Sequence, residues 1–161
     1  MGIHKFDLIR FLLEEDVAEV SAFRGTLDKK YPDGSPVNVS DNMVAILRMK
    51  SGVLGTATFS WTYYGNEENG TILYGDEGVM RIYEDPVYSI RIEKRNGERI
   101  DYKVDAIQTN DNQTKSGVID AFVESVLSGT PSPVTGEDGL KALQIVLAAI
   151  ESADTGRHVV L

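Results

Sequence analysis

The chain opens "MGIHKFDLIRFLLEED", with a histidine and an aspartate three residues apart. Ile3, Phe6, Ile9, Leu12 and Leu13 recur at helical spacing, which predicts a helix over residues 3–14 and puts His4 and Asp7 on one face of it. An imidazole exchanges a proton near neutral pH, so His4 has the chemistry to take a proton from a hydroxyl and return it. Asp7 has the reach to accept a hydrogen bond from His4 and fix its tautomer. The plainer readings are an ordinary histidine at a helix start and an acid that favours the first turn through the helix dipole. On sequence physics alone both readings of each residue stand. His158 lies too far along the chain to give a metal-ligand spacing with His4, and no metal site is expected.

A second group of residues has chemistry to offer. Trp61, Tyr63 and Tyr64 close a strand-like run and enter a polar loop. Aromatic rings there can stack on the apolar face of a sugar, with tyrosine hydroxyls bonding its polar edge. For Trp61, core or subunit packing is the favoured alternative, because it continues an apolar row of Val53, Gly55, Ala57 and Phe59. The alternate row of Thr56, Thr58, Ser60 and Thr62 would make a poor core. Four hydroxyls on one sheet face are satisfied by water or by the surface of another subunit. Asn42 and Arg48 are read as sheet-surface or interface groups.

The elements that must position these side chains follow from patterning. "VAEVSAFRGTL" (17–27) predicts a strand, and the two prolines and glycine of "DKKYPDGSPVN" a loop. "SDNMVAILRMK" and "VLGTATFSW" flank Ser51-Gly52 as a hairpin. "TILYG", "VMRIYED", "VYSIRIEK" and "RIDYKV" predict four more strands, the last two joined at Asn96-Gly97, and both Gly78 and Gly97 suit positive φ. A polar linker over 106–115 precedes a helix with Val118, Ile119, Phe122, Val126 and Leu127 on one side. Thr135 and Asp138 predict a capping box for a last helix that buries Leu140, Leu143, Val146, Leu147 and Ile150. Gly156 stops it, and "RHVVL" predicts a final strand. Strands clustered in sequence imply antiparallel pairing, so the fold class is α+β: a large, mostly antiparallel sheet with helices packed on one face. No Gly-x-Gly-x-x-Gly or phosphate-binding Gly-Lys-Ser/Thr occurs.

Bulk composition narrows the classes. The 161 residues fit one domain, 1–161, and 42% hydrophobic residues suffice for a core. A net charge of −9 opposes nucleic acid and anionic membrane as partners. With no cysteine, disulfide scaffolds and thiolate metal sites are excluded. No apolar run approaches roughly 20 residues and no leader is evident, so a cytoplasmic location is expected.

Two stretches together resemble one family. "GIHKFDLIRFLL" and "FVESVLSGTPSPVTGEDGLKALQIVLAAIESADTGRHVVL", with "RMKSGVLGTATFSW" and "ILYGDEGVMRIYED" between them, look like the C-terminal domain of the glucose–fructose oxidoreductase, inositol dehydrogenase and MocA (Gfo/Idh/MocA) family. The block from Phe122 to Leu161 is the most specific part. The resemblance implies a glyceraldehyde-3-phosphate-dehydrogenase-like C-terminal domain, for substrate binding and oligomerisation, with no Rossmann domain in this chain. Gly2 and His4 match the family pattern Asp-x-Gly-x-His, whose aspartate would fall immediately before Met1. The expectation is therefore a fragment of a two-domain NAD(P)-dependent dehydrogenase, lacking the Rossmann domain and the lysine of its Glu-Lys-Pro motif. In that parent, His4 is the catalytic residue and Asp7, Tyr63 and Tyr64 contact a sugar, cyclitol or related secondary alcohol. NAD or NADP serves the parent; this chain alone is expected to bind neither and to be inactive. A homo-oligomer through the sheet face bearing Thr56, Thr58, Ser60 and Thr62 is implied. The alternative is a stand-alone module that binds a sugar-like ligand or assembles with a partner without catalysis.

Overall fold

The computed structural model describes residues 2–65, 68–103 and 117–161. Eight strands and three helices follow one another as α1 (Gly2–Leu13), β1 (Val17–Gly25), β2 (Asn42–Met49), β3 (Leu54–Ser60), β4 (Thr71–Tyr74), β5 (Gly78–Ile82), β6 (Ile90–Lys94), β7 (Arg99–Tyr102), α2 (Val118–Ser128), α3 (Gly136–Thr155) and β8 (Val159–Val160). Each element expected from patterning is present, and the class is α+β. The polar linker expected over 106–115 lies outside the described residues. The antiparallel strands form two four-stranded sheets, β3-β2-β1-β8 and β4-β5-β6-β7. These belong to two units, Met1–Tyr63 with Val118–Leu161, and Tyr64–Gly117.

In the first unit, strand alternation sorts side chains onto two faces. Val20 pairs with Leu47, and Ala22 with Ala45 and through it Ala57. This inner face joins Phe6 of α1 and Ile145, Ala148 and Ala149 of α3 in one core. A register shift between Val17 and Glu19 adds one residue to β1, so that Val17 and Val20, three apart, both reach the core. The outer face carries Phe23, Val44, Ile46, Leu54, Thr56 and Thr58, all exposed. The hydroxyl row therefore borders an apolar band from the neighbouring strands. Ser60 and Thr62 bond each other at 3.1 Å, and the Asn42 amide donates to Thr62 at 3.0 Å. Arg48 faces Glu19 across the same surface at 3.7 Å.

The capping box of α3 forms as its spacing predicts: the Thr135 hydroxyl accepts from the Asp138 amide and the Asp138 carboxylate accepts from the Thr135 amide. Gly156 ends the helix in the left-handed region at φ 67°. Two expectations about burial need correction. Leu140, Leu143 and Leu147 are exposed, because α3 rests on the sheet and on α1 through a different face, where Ile145 is buried and the small side chains of Ala142, Ala148, Ala149 and Ser152 allow close approach. Trp61 is 57% exposed, because β3 ends at Ser60 and the apolar alternation stops with it.

The second unit is a meander of β4 to β7. Gly78 has φ 154°, and a Cβ there would run into the Glu93 carbonyl and Lys94 of the neighbouring strand. Arg91 ties this meander together, bonding Asp101 and Asp85 at 2.8 Å each. Among the described residues no helix is long and apolar enough to cross a membrane, and no group of three or more metal-ligating side chains gathers.

Candidate functional site

The site is built from the position of α1. Phe6 is 1% exposed and meets the Phe59 ring edge-on, with centroids 5.3 Å apart at 75°. Gly2 lies over the same ring: a Cβ there would stand 3.5 Å from it, at ordinary contact distance. With Phe6 pointing into the core, residues two before it on a helix point away. His4 is accordingly exposed, and among the described residues it has no hydrogen-bond partner.

His4, Asp7, Leu8 and Phe11 form one wall of a groove of about 650 Å³. Glu14, Glu15 and Asp16, which follow α1, continue that wall, and Pro133, Val134 and Asp138 form the other. Glu14 turns through the left-handed region at φ 53°, without the glycine that usually sits there, and so sends the chain back toward the sheet. Glu15 then accepts from the Ser51 amide and hydroxyl at 2.9 and 2.8 Å, anchoring the groove to the β2–β3 turn.

Arg10 holds the two walls together. Its guanidinium lies 3.0 Å from Asp16 and 3.7 Å from Asp7, and it donates to the Asp138 carbonyl at 3.3 Å. Asp7 is thus engaged by Arg10, and no hydrogen bond joins it to His4 among the described residues. The Lys50 ammonium, foremost, and Arg10 hold the Asp16 carboxyl below the usual carboxylate range, although burial pushes the other way. The Thr135 hydroxyl and amide do the same for Asp138. Sequence reasoning missed Arg10. Its signal was the i, i+3 spacing to Asp7 on the predicted helix.

Tyr63 is exposed beyond the end of β3 and does not line the groove; Tyr64 is exposed and opens the second unit. The groove thus assembles His4 and Asp7 of the expected set and adds carboxylates beside Leu8, Phe11 and Val134. Carboxylates accept hydrogen bonds from hydroxyls, and the apolar side chains offer surface to C–H groups. That combination suits an uncharged polyol better than an anion. Both sheets are wholly antiparallel, so the described residues contain no strand–loop–helix crossover of the kind that cradles a dinucleotide pyrophosphate. The residues present do not fit that group.

Comparisons with known proteins agree with this geometry. Residues 1–161 match a family model described as "Oxidoreductase family, C-terminal alpha/beta domain", the Gfo/Idh/MocA one. The chain is similar to myo-inositol 2-dehydrogenase of Thermotoga maritima, at 32% identity over 165 residues, covering 100% of this chain and 48% of that protein. It is similar to inositol 2-dehydrogenase of Rhizobium meliloti at 28% identity, covering 99% and 48%. The chain spans about half the length of these curated relatives. A solved levoglucosan dehydrogenase, in complex with NADH and levoglucosan, shares the fold with a TM-score of 0.84 at 20% identity, covering 99% of this chain and 48% of that one.

Proposed function

The chain belongs to the Gfo/Idh/MocA oxidoreductase family as a C-terminal alpha/beta domain, and we propose that it is the substrate-binding and oligomerisation half of a two-domain NAD(P)-dependent dehydrogenase. The parent's substrate is a secondary alcohol of a sugar, cyclitol or related polyol. The observation that carries this reading is the match of the family model over all 161 residues, with Gly2 and His4 at the start of the helix that walls the groove. The inositol dehydrogenases it resembles and the polyol character of the groove support the substrate class.

The chemistry this chain supplies is the proton half of the reaction. The His4 imidazole takes the hydroxyl proton as the carbinol carbon loses hydride, and the alcohol becomes a ketone. The dinucleotide that accepts the hydride belongs to the parent's other half. Asp7, which lines the groove beside His4, is assigned to substrate contact. The outer face of the first sheet, with Phe23, Val44 and Ile46 beside Thr56 and Thr58, and Ser60 and Thr62 at its end, is assigned to homo-oligomer contact.

The test is the His4→Gln variant of the parent, assayed for NAD(P)⁺ reduction with myo-inositol and a panel of sugars. We expect kcat to fall about 10²- to 10⁴-fold with dinucleotide affinity unchanged. Undiminished turnover would remove His4 from the mechanism. A parent that oxidises no secondary alcohol in the panel would remove the substrate class.

A further inference from the structure

Behind the His4 groove, the start of β1, the turn after β2 and the first turns of α3 enclose a second, smaller cleft of about 80 Å³. Arg10, Asp16, Lys50, Lys141 and Gln144 line it, over an apolar base of Val17 and Ile145, both buried. Lys141, Gln144 and Ile145 stand three and four residues apart on α3 and so share one face of it. The Lys50 amide donates to the Asp16 carbonyl at 3.1 Å, which draws the turn against the start of β1. Leu161, whose amide donates to the Ala18 carbonyl at 2.9 Å, closes the remaining side, and no ion pair joins it to these cations among the described residues.

We propose that this cleft binds one small dianion of the phosphate class, separately from the groove that holds His4. Three cations face one carboxylate there, in a chain whose net charge is −9. Arg10 takes Oδ1 of Asp16 at 3.0 Å, and both ammoniums lean on Oδ2, Lys50 at 2.9 Å and Lys141 at 4.0 Å. A separation of 4.0 Å is too long for a hydrogen bond. Among the described residues the three N–H donors of Lys141 are therefore unused, and the Gln144 amide has no partner either. The apolar base lowers the local dielectric, which strengthens the pull of the surplus cations on an anion. Size selects among anions: a sugar ring or a nucleotide needs several times this volume. One tetrahedral oxyanion has enough oxygens to accept from the guanidinium fork and from both ammoniums at once. Arg10 and Asp16 line the groove as well, so a dianion in the cleft competes with Asp16 for the guanidinium that holds the groove's two walls together.

The experiment titrates inorganic phosphate into this chain at fixed ionic strength and about pH 8, above the second phosphate pKa, with the lysine side-chain signals followed by NMR. We expect the Lys50 and Lys141 signals to shift together and saturate. Sulfate should do the same, and acetate should bind about tenfold more weakly. Lys50→Met and Lys141→Gln should each weaken phosphate binding about tenfold, the loss of one hydrogen bond to a charged group. Lys30→Met, exposed on the loop at the far end of β1, should leave it unchanged. Circular dichroism checks that each variant folds, and Gln144→Met, exposed on α3, should weaken binding without touching an ion pair. Shifts that grow linearly without saturation, or an equal loss in Lys30→Met, would overturn the proposal. Acetate binding as tightly as phosphate would overturn it in favour of a carboxylate site. Each of these outcomes leaves the dehydrogenase reading where it stands.

Discussion

Arg10 donates to the main-chain carbonyl of Asp138 at 3.3 Å, although 128 residues separate them. This bond joins α1, which carries His4, to the start of α3, and the same guanidinium reaches Asp16 at 3.0 Å. The width of the groove is therefore set by one largely buried cation.

Replacing Arg10 with Gln should leave Asp16 with Lys50 as its near cation and free the Asp138 carbonyl. Hydrogen bonds to a charged group contribute about 1.5–3 kcal/mol, and we expect a loss in that range by urea denaturation. The Asp16 carboxyl should titrate higher than in the unsubstituted chain when followed by carbon-detected NMR.

Phe6→Ala should be the most damaging single change near the site. It removes a fully buried ring and its edge contact with Phe59, at a cost of about 3–5 kcal/mol. Thermal unfolding checks this. Phe6→Leu, which retains most of the volume, should cost much less.

Ser152→Ala removes the hydroxyl that accepts from the Ala22 amide at 3.0 Å inside the core. The orphaned N–H should cost about 1–3 kcal/mol, more than a serine-to-alanine change on an exposed surface. Exchange of the Ala22 amide should quicken selectively.

Acid sensitivity should trace to Asp41. Burial pushes its carboxyl up, but amides of Lys29, Asp28 and Leu27, with the Asn42 side chain, outweigh that and hold it far below the usual range. A carboxylate whose folded pKa is depressed binds fewer protons folded than unfolded. Its contribution is full above the unfolded value near 4 and is lost as pH falls toward the folded one. Stability should thus be flat between about pH 5 and 7 and drop below about pH 4. The Asp41→Asn variant should be less stable at neutral pH and show a shallower acid slope, measured by denaturation at several pH values.

Local signals carried most of the fold. The period-2 rows of β2 and β3, Asn96-Gly97, and the Thr135–Asp138 pair each specify local geometry, and each appears where spacing put it. The division into two sheets was not legible, because no signal between Tyr64 and Thr71 says that β4 pairs with β5 and not with β3. The burial of α3 was misjudged for a related reason. Its leucines look like the core face until alanines and Ser152 prove to be the side that fits against β1. In the site, His4 and Asp7 could be named from type and spacing, and the i, i+3 spacing to Asp7 offered Arg10 as well, whereas Val134 and the Asp138 carbonyl meet them only through long-range packing.

β8 pairs with β1 only at Glu19 and Val20, yet the rest of that border is not left bare. The Ser152 hydroxyl stoppers the next outward amide, and a bidentate Arg24–Asp154 clasp, at 2.8 and 2.9 Å, stands just beyond it. A strand arriving from a neighbouring molecule would find the Ala22 amide already taken and an ion pair standing in its path. On that side the fold is guarded against fibre-like growth by a hydroxyl and an ion pair, and not by a longer strand.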